Sequence, residues 1–296
     1  MKVTLLGSSG TIGRAVALEL ARIGYAVSAP PREALPALDL TGQDAVVSCI
    51  ASRTGIPRDA WHVDHDLNLR ALRAAERAGV RHFSLLSAIC VQKPRLAFQF
   101  AKAEFEKKLA AAPITHTIIR PTAYFKSLSG QLERVRAGKP FLTFGNGALT
   151  SCKPISDSDL ARFIVRSLSD PDMANKTLPI GGPGPAITPN DQAEMLSEAL
   201  GTPVRTRRVP PTMLLAAAKL LGFPGTLPMV FAPRLTEKAA LARIGHYYAT
   251  ESMLVWDGSR YDADATPEFG ADTLAEHYSA LARGEVMDDR GAHAVF

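Results

Sequence analysis

The sequence predicts an α/β protein, a doubly wound parallel sheet followed by a smaller C-terminal α+β region. Three observations carry that prediction. Short apolar runs alternate with longer stretches of helical periodicity between Lys2 and Ile180. A glycine-rich loop joins the first run to the first helix. At Gly181 to Pro185 the alternation gives way to a Gly/Pro-rich boundary and longer helical patterns.

Taken in order, Lys2 to Leu6 is a buried strand, and Ile12, Val16, Leu20 and Ile23 form a helical stripe closed by Gly24. Tyr25 to Ala29 is a second strand and Ala45 to Ile50 a third. Only about fifteen residues separate these two, too few for a further strand and helix, so one β-α unit is abbreviated. Leu67, Ala71, Ala75 and Ala78 form a stripe stopped by Gly79, and Val80 to Leu86 is the fourth strand. Phe98, Ala101, Phe105, Leu109 and Ala112 form the next stripe, and Thr115 to Ile119 is a fifth strand halted by Pro121. Asp157 to Leu168 is a helix, and Lys176 to Ile180 a late strand that rejoins the sheet. Thr188-Pro189 opens a capped helix that Gly201 ends, Thr212 to Leu221 is an apolar helix, and a last helix carries Leu274, Tyr278 and Leu281 on one face.

Composition narrows the function classes. With 46% apolar and 21% charged residues, the chain is globular rather than disordered or fibrous. Three scattered cysteines, Cys49, Cys90 and Cys152, imply a reducing compartment rather than a disulfide framework. Thirty-four basic against 29 acidic residues give +5, which suits an anionic small ligand better than nucleic acid. The greasiest stretch, Met213 to Phe223, contains Lys219 and is too short to span a bilayer. No secretory signal opens the chain, so the expected location is the cytoplasm.

Gly7-Ser8-Ser9-Gly10-Thr11-Ile12-Gly13 sits between a strand and a helix, the context a dinucleotide loop requires. Gly7 permits the tight turn, Gly10 lets the backbone approach a pyrophosphate, and Gly13 lets the helix pack close to the strand. The G-x-x-G-x-x-G spacing resembles the extended or atypical branch of the short-chain dehydrogenase superfamily, and hence a Rossmann-type sheet. After the second strand there is no carboxylate before Glu33, and Arg32, with Arg14, favours the 2′-phosphate of NADPH. Ala51 and Ser52, after the third strand, and Pro121 and Thr122, after the fifth, are further cofactor-binding candidates. The NADP-binding domain is therefore placed at 1–180, with part of 123–155 on the substrate side, and the substrate-binding region at 181–296.

Ketone-reducing members of that superfamily use Tyr-x-x-x-Lys, in which the tyrosine protonates the developing alkoxide and the lysine binds the ribose. Here the segment reads Phe98-Gln99-Phe100-Ala101-Lys102, and Ser87 occupies the position of the accompanying serine. Phenylalanine cannot donate a proton. Two readings follow: NADPH binding without catalysis, or hydride transfer that yields no alkoxide, as to a conjugated C=C.

Leu85 to Pro94 (LLSAICVQKP), followed by Phe98-Gln99 and Ala101-Lys102, resembles the NADPH-dependent divinyl chlorophyllide 8-vinyl reductases. Arg120 to Ser127 (RPTAYFKS), Cys152 to Asp157 (CKPISD), Leu178 to Gly184 (LPIGGPG) and Ile244 to Met253 (IGHYYATESM) extend the resemblance over nearly the whole chain. The short segment between Ala29 and Ala45 is the main departure, and the start directly on a strand, without a plastid transit peptide, looks bacterial. The resemblance implies an oxidoreductase of (bacterio)chlorophyll biosynthesis that converts an 8-vinyl group to ethyl on a Mg-tetrapyrrole. It implies that hydride reaches the terminal vinyl carbon and the charge spreads over the macrocycle, so no strong acid is needed at an oxygen. Phe98 then packs beside nicotinamide or macrocycle, and Lys102 fixes the nicotinamide ribose.

Tyr124 and Phe125, and Tyr247 and Tyr248, are candidate substrate-binding residues; Lys126 and Lys153 are either carboxylate partners or surface cations. Cys90 has no neighbour that would activate a thiolate. His62 and His65 lack a further ligand cluster, so no metal site is expected. The apolar helix with Pro224 to Phe231 forms core, a lid, or a peripheral membrane contact. Two alternatives remain beside the vinyl reductase: an NmrA-like NADPH-binding sensor or assembly protein, and an isoflavone-reductase-like enzyme with another apolar substrate.

Overall fold

Residues 1–222 and 232–286 are described by the structure, a computed structural model. In chain order the first elements are β1 (Lys2–Leu6), α1 (Thr11–Arg22), β2 (Ala26–Ser28), β3 (Ala45–Ser48), α2 (Pro57–Ala60), α3 (Asn68–Ala78), β4 (His82–Leu86), α4 (Ala97–Ala110) and β5 (Thr115–Pro121). Then come α5 (Phe125–Leu128), α6 (Leu132–Arg136), β6 (Phe141–Phe144), α7 (Asp157–Arg166) and β7 (Lys176–Ile180). The remainder is α8 (Pro189–Leu200), β8 (Thr206–Val209), α9 (Thr212–Leu221), α10 (Ala232–Thr250), β9 (Val255–Trp256), β10 (Tyr261–Asp262) and α11 (Leu274–Arg283).

Two units divide the chain. The first comprises Met1–Ser52, Pro57–Pro121 and Asp157–Ile180. Its six strands are all parallel, in the order β2-β1-β3-β4-β5-β7, the doubly wound architecture that the strand–helix alternation predicts. Every residue of β3 and β4 is buried, as expected for strands covered on both faces. Leu6, Val46, Phe83, Leu85 and Ile118 of the sheet share one apolar cluster with Ala71 and Ala75 of α3 and Phe105 and Leu109 of α4. Helix α1 packs against α7.

Two local features differ from the sequence reading. The second strand is only Ala26–Ser28, an exposed edge, and the Tyr25 N–H donates instead to the Leu20 carbonyl that closes α1. The abbreviated link to β3 is a 3₁₀ helix, Arg32–Ala37, whose Leu35, with Leu40 after it, is buried in the core, so a short segment still closes that edge. The helical run ahead of α3 also begins earlier than its stripe implies. Helix α2 passes into a π-helical segment, Trp61–Leu67, before α3.

The second unit comprises Arg53–Ile56, Thr122–Ser156 and the described part of Gly181–Phe296. Strands β6 and β8 pair in parallel, and β9 and β10 antiparallel. Helix α8 has the predicted start and stop: the Thr188 hydroxyl and the Asp191 carboxylate cap each other's backbone N–H groups, and Gly201 ends it at φ +63°. Leu274, Tyr278 and Leu281 of α11 are buried together, and the Tyr278 hydroxyl donates to the Leu128 carbonyl at 2.9 Å. Helix α9 packs on α10 through Ala218, while Met213, Leu215 and Leu220 face solvent. The expected lid segment Pro224 to Phe231 lies outside the described residues.

His82 in the first unit is buried, and its Nε2 stands 3.1 Å from the Thr117 hydroxyl, which itself donates to the Met173 carbonyl. Burial, with His116 nearby, pushes the imidazole pKa down to about 4. The unfolded chain binds this proton near pH 6.5 and the folded chain only near pH 4, so stability falls as the pH drops through that window. Urea unfolding should show His82 contributing about 2 kcal/mol of the stability lost between pH 7 and pH 5, and His82→Gln should flatten that part of the profile.

Candidate functional site

The strand order reverses at β1, which lies between β2 and β3, and in such sheets a ligand crevice opens beyond the carboxyl ends of the strands at the reversal. The loop after β1 meets the segment after β3 there. Gly7 has φ +82°, and a Cβ on it would lie 2.8 Å from the Cys49 carbonyl carbon. A Cβ on Gly13 would lie 2.0 Å from the Gly7 carbonyl oxygen. Both glycines are demanded by packing of the protein against itself. Gly10 is different. Its N–H donates to the Gly7 carbonyl at 3.1 Å, its φ is an ordinary −74°, and an added Cβ would meet only the Gly7 oxygen, at 3.4 Å. Position 10 therefore has room beside it that positions 7 and 13 lack.

Gly10 is also the N-cap of α1, with no side-chain cap and no acidic residue in the first turn, an arrangement suited to an anion. Ser8 is half-buried, Ser9 exposed, Thr11 half-buried and Ile12 buried. Arg14 donates to the Ser9 carbonyl at 2.7 Å and so braces the loop. Arg32 donates to the Ala51 carbonyl at 3.2 Å, which brings an exposed guanidinium to the segment after β3.

Ser52 opens a polar cluster at this edge whose other members are buried. Its hydroxyl donates to Asp64 Oδ2 at 2.6 Å, its N–H to Oδ1 at 3.3 Å, and Lys102 Nζ lies 3.0 Å from Oδ1. Asp64 is 1% exposed and Lys102 8%. The π-helical segment carries Asp64, and α4 carries Lys102. A second cluster lies one turn along α4. Glu106 accepts from the Ser87 hydroxyl and is clamped by Arg120 through both carboxylate oxygens. On the same helix Ala101, Phe105 and Leu109 are fully buried, whereas Phe98 is half-buried and Phe100 exposed. Gln99 accepts from the N–H groups of Arg95 and Leu96, which fixes the start of α4. Cys49, after β3, is pushed up to about pKa 12 by burial, and no reactive thiolate arises there.

Pro121 ends β5 in the first unit, and Thr122 begins the second, where its hydroxyl donates to the Lys153 carbonyl. Tyr124 is half-buried. Phe125 is buried against the His277 ring at 5.4 Å. Tyr247 is buried and meets Tyr248 edge-on at 5.6 Å, leaving Tyr248 more than a third exposed. Lys153 is neither a surface cation nor open to a ligand: it is buried and ion-paired with Glu268. That ammonium and the Gly184 N–H hold the Glu268 carboxyl below its usual range. Among the described residues no group of three or more His, Cys, Asp or Glu side chains stands together as a metal site, and His65 pairs with Asp66 at 2.8 Å.

Sequence reasoning passed over Asp64 and Glu106. Each left a signal. Asp64 sits between the apolar Val63 and Leu67, and Glu106 sits between Phe105 and Leu109, four residues after Lys102.

Residues 32–171 match the family model described as NAD(P)H-binding. The chloroplastic divinyl chlorophyllide a 8-vinyl-reductase of Oryza sativa subsp. indica is 41% identical over an alignment covering 99% of this chain and 82% of that protein. The protein of the same name from Arabidopsis thaliana is 38% identical over 96% of this chain and 77% of its own length. Among solved structures, the NADPH-dependent quinone oxidoreductase of Escherichia coli complexed with NADPH aligns with a TM-score of 0.64 at 20% identity. That alignment covers 94% of this chain and 99% of the other, a shared fold.

The two loop glycines that differ in packing separate stability from binding. Gly13→Ala should lower stability by about 2 kcal/mol or more, because backbone must move. Gly10→Ala should leave the thermal midpoint near that of the parent chain while weakening dinucleotide binding about tenfold or more, as read by fluorescence titration.

Proposed function

This chain belongs to the divinyl chlorophyllide a 8-vinyl-reductase family, and from that premise we propose how its residues carry out the NADPH-dependent reduction of an 8-vinyl group to ethyl on a divinyl (bacterio)chlorophyll precursor. The observation that carries the reading is a buried, ion-paired Lys102 one helical turn after a phenylalanine. The cofactor, when bound, supplies the hydride.

The backbone from Gly7 to Gly13, with Ser8, Ser9, Thr11 and Ile12, receives the pyrophosphate, supported by the open side of Gly10 and the uncapped start of α1. Arg32 meets the 2′-phosphate, supported by its exposed guanidinium beside Ala51. Ala51 and Ser52 border the adenosine side, and Pro121 and Thr122 the nicotinamide side. Lys102 reaches the nicotinamide ribose with the N–H groups that Asp64 does not take. Phe98 offers a flat apolar face and no hydroxyl, in keeping with a reaction that forms no alkoxide. The Ser87 hydroxyl donates to Glu106, and in this reading Ser87 serves to shape the site. Arg120 keeps that carboxyl paired, which argues against Glu106 as an acid.

On the substrate side, the partial exposure of Tyr124 and Tyr248 suits contact with a flat tetrapyrrole, and Phe125 and Tyr247 back them from the core. The magnesium arrives with the pigment. Among the described residues no helix is long and apolar enough to cross a membrane. Work in the cytoplasm at the periphery of a photosynthetic membrane fits the exposed Met213, Leu215 and Leu220 of α9.

Incubating the protein anaerobically with divinyl chlorophyllide a should yield the monovinyl product with NADPH and not with NADH, as resolved by chromatography. Failure on this and on other divinyl pigments, with NADPH bound in the same samples, would overturn the reading. Arg32→Ala should erode the preference for NADPH over NADH about tenfold or more, measured as kcat/KM for each cofactor.

A further inference from the structure

We propose that Asp64 is a positioning residue for the reaction: held by Ser52, its carboxylate fixes the Lys102 ammonium in the one place from which it engages the cofactor ribose. The inference rests on the reading of Lys102 given above and extends it to a residue outside the Phe98–Lys102 segment.

Each group of the cluster comes from a different element: Ser52 from the segment after β3, Asp64 from the π-helical segment and Lys102 from α4. π-Helical turns are rare and concentrate at functional sites, because a wide turn is less favourable than an α-turn and persists only where the displaced residue is needed. Here the segment keeps Val63 and Leu67 in the core and still turns Asp64 to Ser52 and Lys102. A buried carboxylate and a buried ammonium need one another, yet such a pair contributes little to stability compared with apolar residues of the same volume. Its presence is explained if the charge has a use.

The chemistry of that use is restricted. The residue one turn before Lys102 is Phe98, which has no group to hold an ammonium. Asp64 takes one of the three N–H donors and leaves the others for ligand oxygens. Both carboxylate oxygens are occupied, Oδ1 by Lys102 and the Ser52 N–H, Oδ2 by the Ser52 hydroxyl. The carboxylate therefore cannot swing away, and the ammonium it grips is held with it. Asp64 acts on the cofactor only through Lys102.

The test is a double-mutant cycle on NADPH binding and steady-state kinetics. Asp64→Asn keeps the shape and the Ser52 contact but removes the charge. It should raise Kd and KM for NADPH about tenfold and change kcat at saturating cofactor by less than about threefold. In a Lys102→Met background the same substitution should have no further effect on NADPH affinity. An equal loss in both backgrounds, or none in either, would overturn the inference. If Lys102→Met binds NADPH as the parent does, the reading of Lys102 fails and takes the inference with it; if Lys102→Met alone weakens binding, only the Asp64 step is refuted. Should Asp64→Asn not fold, Ser52→Ala in both backgrounds is read by the same criterion, with a smaller loss expected in the parent background only.

Discussion

The Gly7 carbonyl oxygen leaves no space for a side chain at position 13, and that contact governs the cofactor end of the first unit. Because α1 starts directly against the turn that ends β1, its first backbone N–H groups face the carboxyl edge of the sheet. Gly7 in turn lies against the Cys49 carbonyl, which ties the loop to the strand on the other side of the reversal. The crevice is thus a consequence of two backbone approaches that only glycine permits, and Gly10 is the loop glycine that packing leaves free.

Along α4, cation and anion alternate at one-turn spacing. Lys102 is satisfied by Asp64, and Glu106 by Ser87 and Arg120. Each ion finds its counterpart on another element, so the helix is held by its polar contacts as well as by Phe105 and Leu109. The arrangement leaves each acid matched to a cation. An enzyme that must protonate an alkoxide needs a loose, tuned acid at this helix; one that saturates a carbon–carbon bond can keep its charges paired and place an apolar ring at Phe98 instead.

The second unit is assembled differently. Its sheets are two-stranded and small, and its order comes from helix caps, the buried face of α11 and side chain–backbone ties such as Tyr278 to Leu128. Lys153 shows how the local chemistry redirects a residue type. A lysine in a loop-like sequence would ordinarily be solvated, but Glu268 and the Thr266 carbonyl draw it inside. On α9 Met213, Leu215 and Leu220 stay exposed while Ala218 is buried.

Amino-acid order alone determined the parallel sheet, the glycine loop, the Phe98–Lys102 segment, the start of α8 at Thr188 and its end at Gly201, and the face of α11. All of these are local, written in periodicity, caps and glycines that act within a few residues of one another. Family membership was legible for the same reason, as short motifs in a fixed order. What only the tertiary structure decided is which charges meet. Asp64 is 38 positions from Lys102 and 12 from Ser52, and Glu106 is 19 from Ser87 and 14 from Arg120, so no spacing rule connects them. A buried ion is defined by its partner, and the partner is chosen by how strands and helices stack. The three-residue β2 and the π-helical segment before α3 were settled in the same way: β2 pairs with β1 over three residues only, and the π-helical segment carries the buried Asp64.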